Sequence, residues 1–334
     1  MLSSNRKFGV EIEFDVSSEV QLHHLQKKLR IEFDGSLRGL NNPGEWVSDI
    51  LQGESGINTL VTACSVLKKH GANCDNPKTS MHIHLDGMVG EGVLKSSKTA
   101  PNTTNNVIAI SKKLRSELSS GAAMMLIQNR QRYNDGNMVT TEIDGIIYYS
   151  KAALVRKPRM NYVYYYLDKP DRFKWLQNSF YFYTLFSDVM ENIVSNSRRF
   201  GNMYCIPLGS SYSLDAIEAC KDMKELKNLW YKGAMPSRDY DNSRYQNVNL
   251  HSFWYKHGTL EIRSHGGTID PVKILMWLRL HQTIVDKMED TTVEELKKMT
   301  GTPEEFINFL GDDMLGDYVK RLLGYYSNVK IKYD

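Results

Sequence analysis

Along the opening of the chain, KFGVEIEFDV, apolar side chains occupy every second position: Phe8, Val10, Ile12 and Phe14 fall in one phase, Gly9, Glu11 and Glu13 in the other. Successive side chains of a strand point to opposite faces, so the stretch predicts a half-buried strand. Its outer face carries two carboxylates roughly 6–7 Å apart. The period then lengthens. Val20, Leu22, Leu25 and Leu29 stand at helical spacing behind Ser17 or Ser18, either of which can cap a short amphipathic helix. The turn signals DGS and NNPG frame short strand-like pieces. Ile57 to Leu67 predicts a helix that Gly71 is placed to end, and SMHIHLDG returns to strand alternation.

Residues 88–165 differ in texture, with Gly, Ser, Thr and Asn clusters, a predicted helix from Asn105 to Ser119, a polar turn at Asn134–Gly136 and a Tyr-rich run, NYVYYYL. This segment reads as an inserted subdomain or lid within a single catalytic domain spanning 1–334. Beyond it, Asp168 and Pro170 are placed to start a long apolar helix carrying Trp175, Phe182, Phe186, Val189 and Ile193. RFGNMYCIPL reads as a strand, Leu214 to Trp230 as a helix, and NVNLHSFW with GTLEIRSHGG as two strands joined around His257–Gly258. Asp270–Pro271 opens a helix bearing Ile274, Leu275, Leu278 and Val285, and capping boxes run from Thr292 to Glu295 and from Thr302 to Glu305. Short strands between unequal helical blocks predict an α+β layout with a mainly antiparallel sheet.

Composition narrows the class without choosing a function. The 334 residues are 41% hydrophobic and 24% charged, and a net charge of +3 is too small to imply a polyanion partner by itself. Cys64, Cys74, Cys205 and Cys220 fall at no metal-type spacing and read as reduced thiols. With no apolar run of spanning length and no secretory signal pattern, a cytoplasmic protein without a membrane partner is expected.

The polar positions carry more. Three strand candidates place like residues two apart: Glu11 with Glu13, His82 with His84, and Glu261 with Arg263. Singly, each has a plain alternative: a solvent-facing edge, a hydrogen-bonded histidine pair, a cross-strand salt bridge. Together they suggest polar faces that converge. Buried carboxylates need a counter-charge, and Mg²⁺ or Mn²⁺ suits such an oxygen-rich set. Glu45, in PGEWVS just after a turn, is a surface carboxylate or a third acidic ligand. Arg198 and Arg199, near Asn202 and Tyr204, and Arg244, near Asn249, offer forks that match phosphate oxygens, although helix ends and loops use arginine equally. Neither GxxxxGK[ST] nor GxGxxG occurs, so a nucleotide would have to be held by cations and arginines.

The order FGVEIEF, DGSL…GEWVS, SMHIH, SRRFGNMYC and RYQNVNL…GTLEIRSHGGT resembles the amidoligase family, carboxylate–amine ligases related to glutamine synthetase and glutamate–cysteine ligase. The resemblance covers residues 6–86 and about 170–287. It implies a glutamine synthetase-like catalytic domain: a curved, mainly antiparallel sheet with helices on its convex side and ATP and divalent cations on the concave one. By the same resemblance Glu11, Glu13, Glu45, His82 and Glu261 would hold metal, and His84 would lie near the nucleotide with Arg199 and Asn249. Arg263, Arg198 and Arg244 would handle the substrate carboxylate or phosphate. Small-molecule carboxylate and amine substrates, an amino acid or a polyamine, are the expected partners, with a macromolecular acceptor left open. The segment 88–165 departs from the compact pattern of that family.

Two rivals stay open at this stage. A metal-dependent phosphohydrolase or nuclease could use the same Glu/His set. The basic, Tyr-rich stretch Arg156 to Tyr166 allows a nucleic-acid-binding protein.

Overall fold

The computed structural model describes residues 4–33, 35–37, 39–87, 94–97, 140–143, 146–149, 164–167, 172–199, 202–234 and 241–330. The chain divides into two compact units, Met1–Val89 with Arg172–Asp334, and Gly90–Asp171. In the first unit a six-stranded sheet contains β1 (Phe8–Asp15), β2 (Ile31–Glu32), β3 (Pro43–Val47) and β4 (Ser80–Asp86). In the second, β5 (Leu94–Ser97) pairs with β8 (Tyr164–Leu167), and β6 (Thr140–Ile143) with β7 (Ile146–Tyr149), both antiparallel. The sheet of the first unit is completed by β9 (Val248–Asn249) and β10 (Thr259–Gly266). Its order is β2-β3-β1-β4-β10-β9, antiparallel at every pairing. The predicted helix Asn105–Ser119, the turn at Asn134–Gly136, most of Arg156–Tyr166, Asp168 with Pro170, and the lid expected over 88–165 lie outside the described residues or largely so.

Period-two alternation governs the sheet. Phe8, Val10, Ile12 and Phe14 of β1, Met81, Ile83 and Leu85 of β4, and Leu260 and Ile262 of β10 are all buried in one hydrophobic cluster. That cluster also takes in Leu60, Ala63 and Leu67 of α2 (Gly53–Lys69) and Phe180 and Phe182 of α3 (Phe173–Leu185). The helices therefore cover the apolar phase, and the polar phase is left on the opposite face. Close approach at one position matters for the sheet's edge. A Cβ at Gly44 would stand 2.9 Å from both Ile31 Cγ2 and Phe14 Cζ and 3.2 Å from Leu22 Cδ1. Gly44→Ala is expected to cost about 1–3 kcal/mol by overpacking, read from the urea midpoint at unchanged slope.

Several predicted elements form as read. Helix α1 (Glu19–Gln26) is capped by Ser18, and Asp270 accepts from Val272 N–H and Lys273 N–H at the start of the helix Pro271–Lys287. Both capping boxes are present, with reciprocal bonds at Thr292/Glu295 and Thr302/Glu305. The four cysteines are buried free thiols, and burial pushes those of Cys64 and Cys74 up to about 12. Among the described residues no helix is long and apolar enough to cross a membrane.

Four elements differ. The long helix expected to carry Trp175 through Ile193 is two, Phe173–Leu185 and Ser187–Asn192. RFGNMYCIPL is not a strand over its described residues: Asn202 N–H donates to Arg199 O and Cys205 N–H to Asn202 O, so local turns satisfy the backbone. Only Ile206 bridges, in parallel, to Gln246. Leu214 to Trp230 forms two helices, Leu214–Glu218 and Met223–Trp230. Asp222 starts the second as N-cap, while the buried Gln177 amide donates to the carbonyls of Ile217 and Cys220, both at 2.9 Å, and so ends the first. The strand read in NVNLHSFW stops after Asn249. Its Oδ1 accepts His251 N–H, and a wide helical turn over Ser252–Lys256 leads to Gly258 at φ 70°.

A candidate metal centre

Antiparallel register brings the polar phases of five strands side by side. Glu45 of β3 lies opposite Glu13 of β1, Glu11 opposite His82 of β4, His84 opposite Glu261 of β10, and Glu261 opposite Asn249 of β9. The sequence could place each pair on one face; only the register decides that all of them share a row.

The side chains meet. His82 Nδ1 stands 3.0 Å from Glu11 Oε2 and 3.6 Å from Glu261 Oε1, while its Nε2 is 2.9 Å from Ser80 Oγ. His84 Nε2 lies 3.2 Å from Glu11 Oε1, close enough for an ion pair but without a hydrogen bond, and its Nδ1 is 3.0 Å from Thr259 Oγ1. Ser80 N–H donates to Glu13 Oε2 at 2.6 Å. Asn249 Nδ2–H donates to Glu261 Oε2 at 2.6 Å, and Arg263 Nη1–H donates to Glu261 Oε1. The Glu11 side chain is 23% exposed against 9% for Glu261, so solvent reaches the row at Glu11.

Electrostatics follow from this crowding. Burial pushes the Glu261 carboxyl up, but Arg263 beside it, then His84 and His82, hold it at about 2. Burial likewise opposes ionisation of Glu11, yet His84 and His82 hold it well below the usual carboxylate range. Desolvation would neutralise His84; the charges of Glu11 and Glu261 outweigh it and keep the imidazole's affinity for a proton high. An ionised carboxylate pair and a proton held between them is an arrangement a cation can take over.

Two groups of donors are compact enough to hold one. Glu11, His84 and Glu261 present ligand atoms within 4.8 Å of one another, and so do Glu11, Glu45 and His82. All donors are carboxylate oxygen or imidazole nitrogen, a set that divalent cations accept. Glu11 belongs to both groups. Glu13 belongs to neither and accepts the Ser80 amide instead, and His84, expected beside a nucleotide, falls among the ligand candidates.

The arginines separate. Arg198 and Arg263 are buried; Arg198 Nη2–H donates to the Thr79 carbonyl, and the Nε atoms of both guanidiniums have no hydrogen-bond partner. Burial pulls Arg198 down, whereas Arg263 is held up by Glu261 against its own desolvation. Arg199 turns away: its Nε–H donates to Val194 O at 2.8 Å, its Nη2–H to Asn192 O at 3.2 Å, and it lies over the Tyr326 ring. Arg244 sits in a short 3₁₀ turn, Asn242–Tyr245, with its guanidinium 5.5 Å from the Tyr245 ring centre. Asn249, expected near a nucleotide, orients Glu261. Ser80 and Thr259 were missed as participants. The signal was available, since each lies two residues before His82 or Glu261, in the same strand phase.

Residues 169–285, about a third of the chain, match the family model described as "Putative amidoligase enzyme". No curated protein and no solved structure matches the chain. The matched segment contains Arg198, Asn249, Glu261 and Arg263; Glu11, Glu45, His82 and His84 precede it and reach the same row through the sheet.

Proposed function

We propose, from the amidoligase match and the polar row together, that this chain is an ATP-dependent carboxylate–amine ligase built on a glutamine synthetase-like sheet. The observation that carries the reading is the pair of three-residue ligand groups sharing Glu11, set on the same sheet face as Arg263. Glu11, Glu45 and His82 would hold one divalent cation and Glu11, His84 and Glu261 another. When bound, such ions neutralise charge on a nucleotide's phosphate oxygens.

The overall reaction balances in two displacements. A substrate carboxylate oxygen attacks the γ-phosphorus of ATP, the bond to the β-phosphate oxygen breaks, and its electron pair leaves with ADP. An amine nitrogen then attacks the acyl carbon, loses a proton, and phosphate departs with the electron pair of the carbon–oxygen bond, leaving an amide. The chain's own contribution is positional and electrostatic. Arg263 stays charged and keeps one edge on Glu261, leaving Nε–H for an anionic oxygen. Arg198 offers a second unused Nε–H, while its Nη2–H donates to Thr79 O just before β4. Asn249 and Ser80 lock Glu261 and His82 in place, so the row is formed before substrate arrives.

The test is phosphate release from ATP by the full chain in MgCl₂ or MnCl₂ with mixed amino acids and polyamines, followed by mass spectrometry. The expected result is release that requires both a carboxylate and an amine, with a product whose mass is their sum less water. Release that ignores the amine would instead favour a phosphohydrolase on the same residues.

A further inference from the structure

The two imidazoles of the row turn opposite nitrogens to the carboxylates. His82 brings Nδ1 to 3.0 Å from Glu11 Oε2, whereas His84 brings Nε2 to 3.2 Å from Glu11 Oε1. The nitrogen left over on each ring meets a hydroxyl. Ser80 Oγ lies 2.9 Å from His82 Nε2, and Thr259 Oγ1 lies 3.0 Å from His84 Nδ1. A neutral imidazole has one proton and one lone pair, so the group that fixes the proton on one nitrogen decides which nitrogen can bind a cation.

At His84 that group belongs to a built structure. Thr259 Oγ1 is also 3.0 Å from Ser252 Oγ, and Ser252 is fully buried. Ser252 opens the wide turn that leads back to β10, and its carbonyl accepts His257 N–H at 2.9 Å and Gly258 N–H at 3.1 Å. Gly258 O accepts Gly87 N–H at 2.9 Å, which ties the turn to the chain just past β4, the strand of His84. The His257 ring packs edge-on against the His84 ring, with centroids 5.5 Å apart. Joining β4 to β10 does not require the Thr259 hydroxyl, because the backbone pairs Thr259 with Asp86 and Leu260 with Leu85 already do so.

We propose that Thr259 is a positioning residue for the cation group of Glu11, His84 and Glu261. Its hydroxyl accepts Nδ1–H of His84 and donates to Ser252 Oγ, which leaves the Nε2 lone pair to the carboxylate side. His82, with Ser80 on its Nε2, offers Nδ1 instead, so the two groups that share Glu11 are built on opposite tautomers. This inference rests on the cation reading of the row and adds to it how each ring is aimed.

Two measurements on the full chain test it. Mn²⁺ binding, followed by the electron paramagnetic resonance signal of the free ion, compares the unaltered chain with Thr259→Val and Thr259→Ser. Valine keeps the β-branch and removes the hydroxyl. The expected result is at least about tenfold more Mn²⁺ for half-saturation of one site, restored by serine. Two-bond ¹H–¹⁵N correlation spectra of the histidine-labelled chain loaded with Zn²⁺ read the tautomers directly, each ring being identified by its loss in His82→Gln or His84→Gln. The expected pattern is a proton on Nδ1 of His84 and on Nε2 of His82. The same tautomer on both rings, or unchanged Mn²⁺ binding in Thr259→Val, overturns the inference and leaves the cation reading in place. So does a serine variant as weak as the valine one. No Mn²⁺ uptake by the unaltered chain overturns both. If valine unfolds the chain, the histidine spectrum of the unaltered chain decides alone.

Discussion

Glu11→Gln is expected to lower kcat/KM for amine-dependent phosphate release by at least about a hundredfold, close to 3 kcal/mol of transition-state stabilisation. Glu11 is the residue common to both candidate ligand groups and the anchor of two imidazoles, so one substitution alters both groups at once. Gln keeps the shape and one carbonyl oxygen but removes the charge. The midpoint of thermal unfolding should shift by no more than a few degrees, because Glu11 is the most open of the measured row members and its backbone stays paired to β3 and β4. Manganese binding measured on the same protein separates cause from consequence: the variant should need at least about tenfold more Mn²⁺ for half-saturation. Full activity at ordinary metal concentration would remove the basis for assigning the row to cations. The same substitution also relieves His84, whose high proton affinity rests first on Glu11 among its attractive neighbours.

Arg6→Ala should destabilise the first unit by about 3 kcal/mol, measured by urea unfolding. Arg6 is buried, and its guanidinium donates to Asp286 Oδ1 at 2.6 Å, Glu289 Oε1 at 2.7 Å and Asp86 O at 2.5 Å, with Trp175 centred 5.4 Å away. Arg172 grips the same Glu289 through two bonds at 2.7 and 2.8 Å. Removing Arg6 frees two carboxylates that remain partly open to water, which caps the loss below that of a fully buried pair. The pH response has a definite sign. Burial pushes the Glu289 carboxyl up, but the bonds from Arg172 and Arg6 hold it below the usual range. A depressed folded pKa gives stability that is present above the unfolded value and lost as pH falls through the folded one. Arg6→Ala should therefore flatten the acid limb of the stability curve as well as lower its plateau. An unchanged limb would mean Arg172 alone sets the Glu289 carboxyl.

How much of this was legible follows from the range of each interaction. Side-chain phase along a strand is a local property, so Glu11, Glu13, His82, His84, Glu261 and Arg263 could be placed on faces from spacing alone. Register is not local. That Glu11 faces His82 and not its neighbour depends on where β1 and β4 begin to pair, some seventy residues apart. Hence spacing could not show that the compact donor groups take in His84 while Glu13 accepts the Ser80 amide. Helix caps such as Asp270 and Thr302 were readable because donor and acceptor sit within three residues. The strand expected at RFGNMYCIPL failed for the complementary reason, since Asn202 supplies turn bonds that alternation of apolar residues does not register. Arg6 could not have been singled out, because its carboxylate partners lie about 280 residues further along the chain.

One contact in the first unit has a bearing on how this architecture could diversify. Arg172 Nε–H donates to the Gly87 carbonyl at 2.7 Å, so the chain that leaves the sheet after β4 is stitched where it comes back. A loop closed at its neck makes the intervening length a weak variable: doubling it adds only about 0.6 kcal/mol of closure entropy. Descendants of this fold could lengthen, shorten or exchange the span Gly90–Asp171 at little cost in closure entropy while the row on the sheet keeps its spacing.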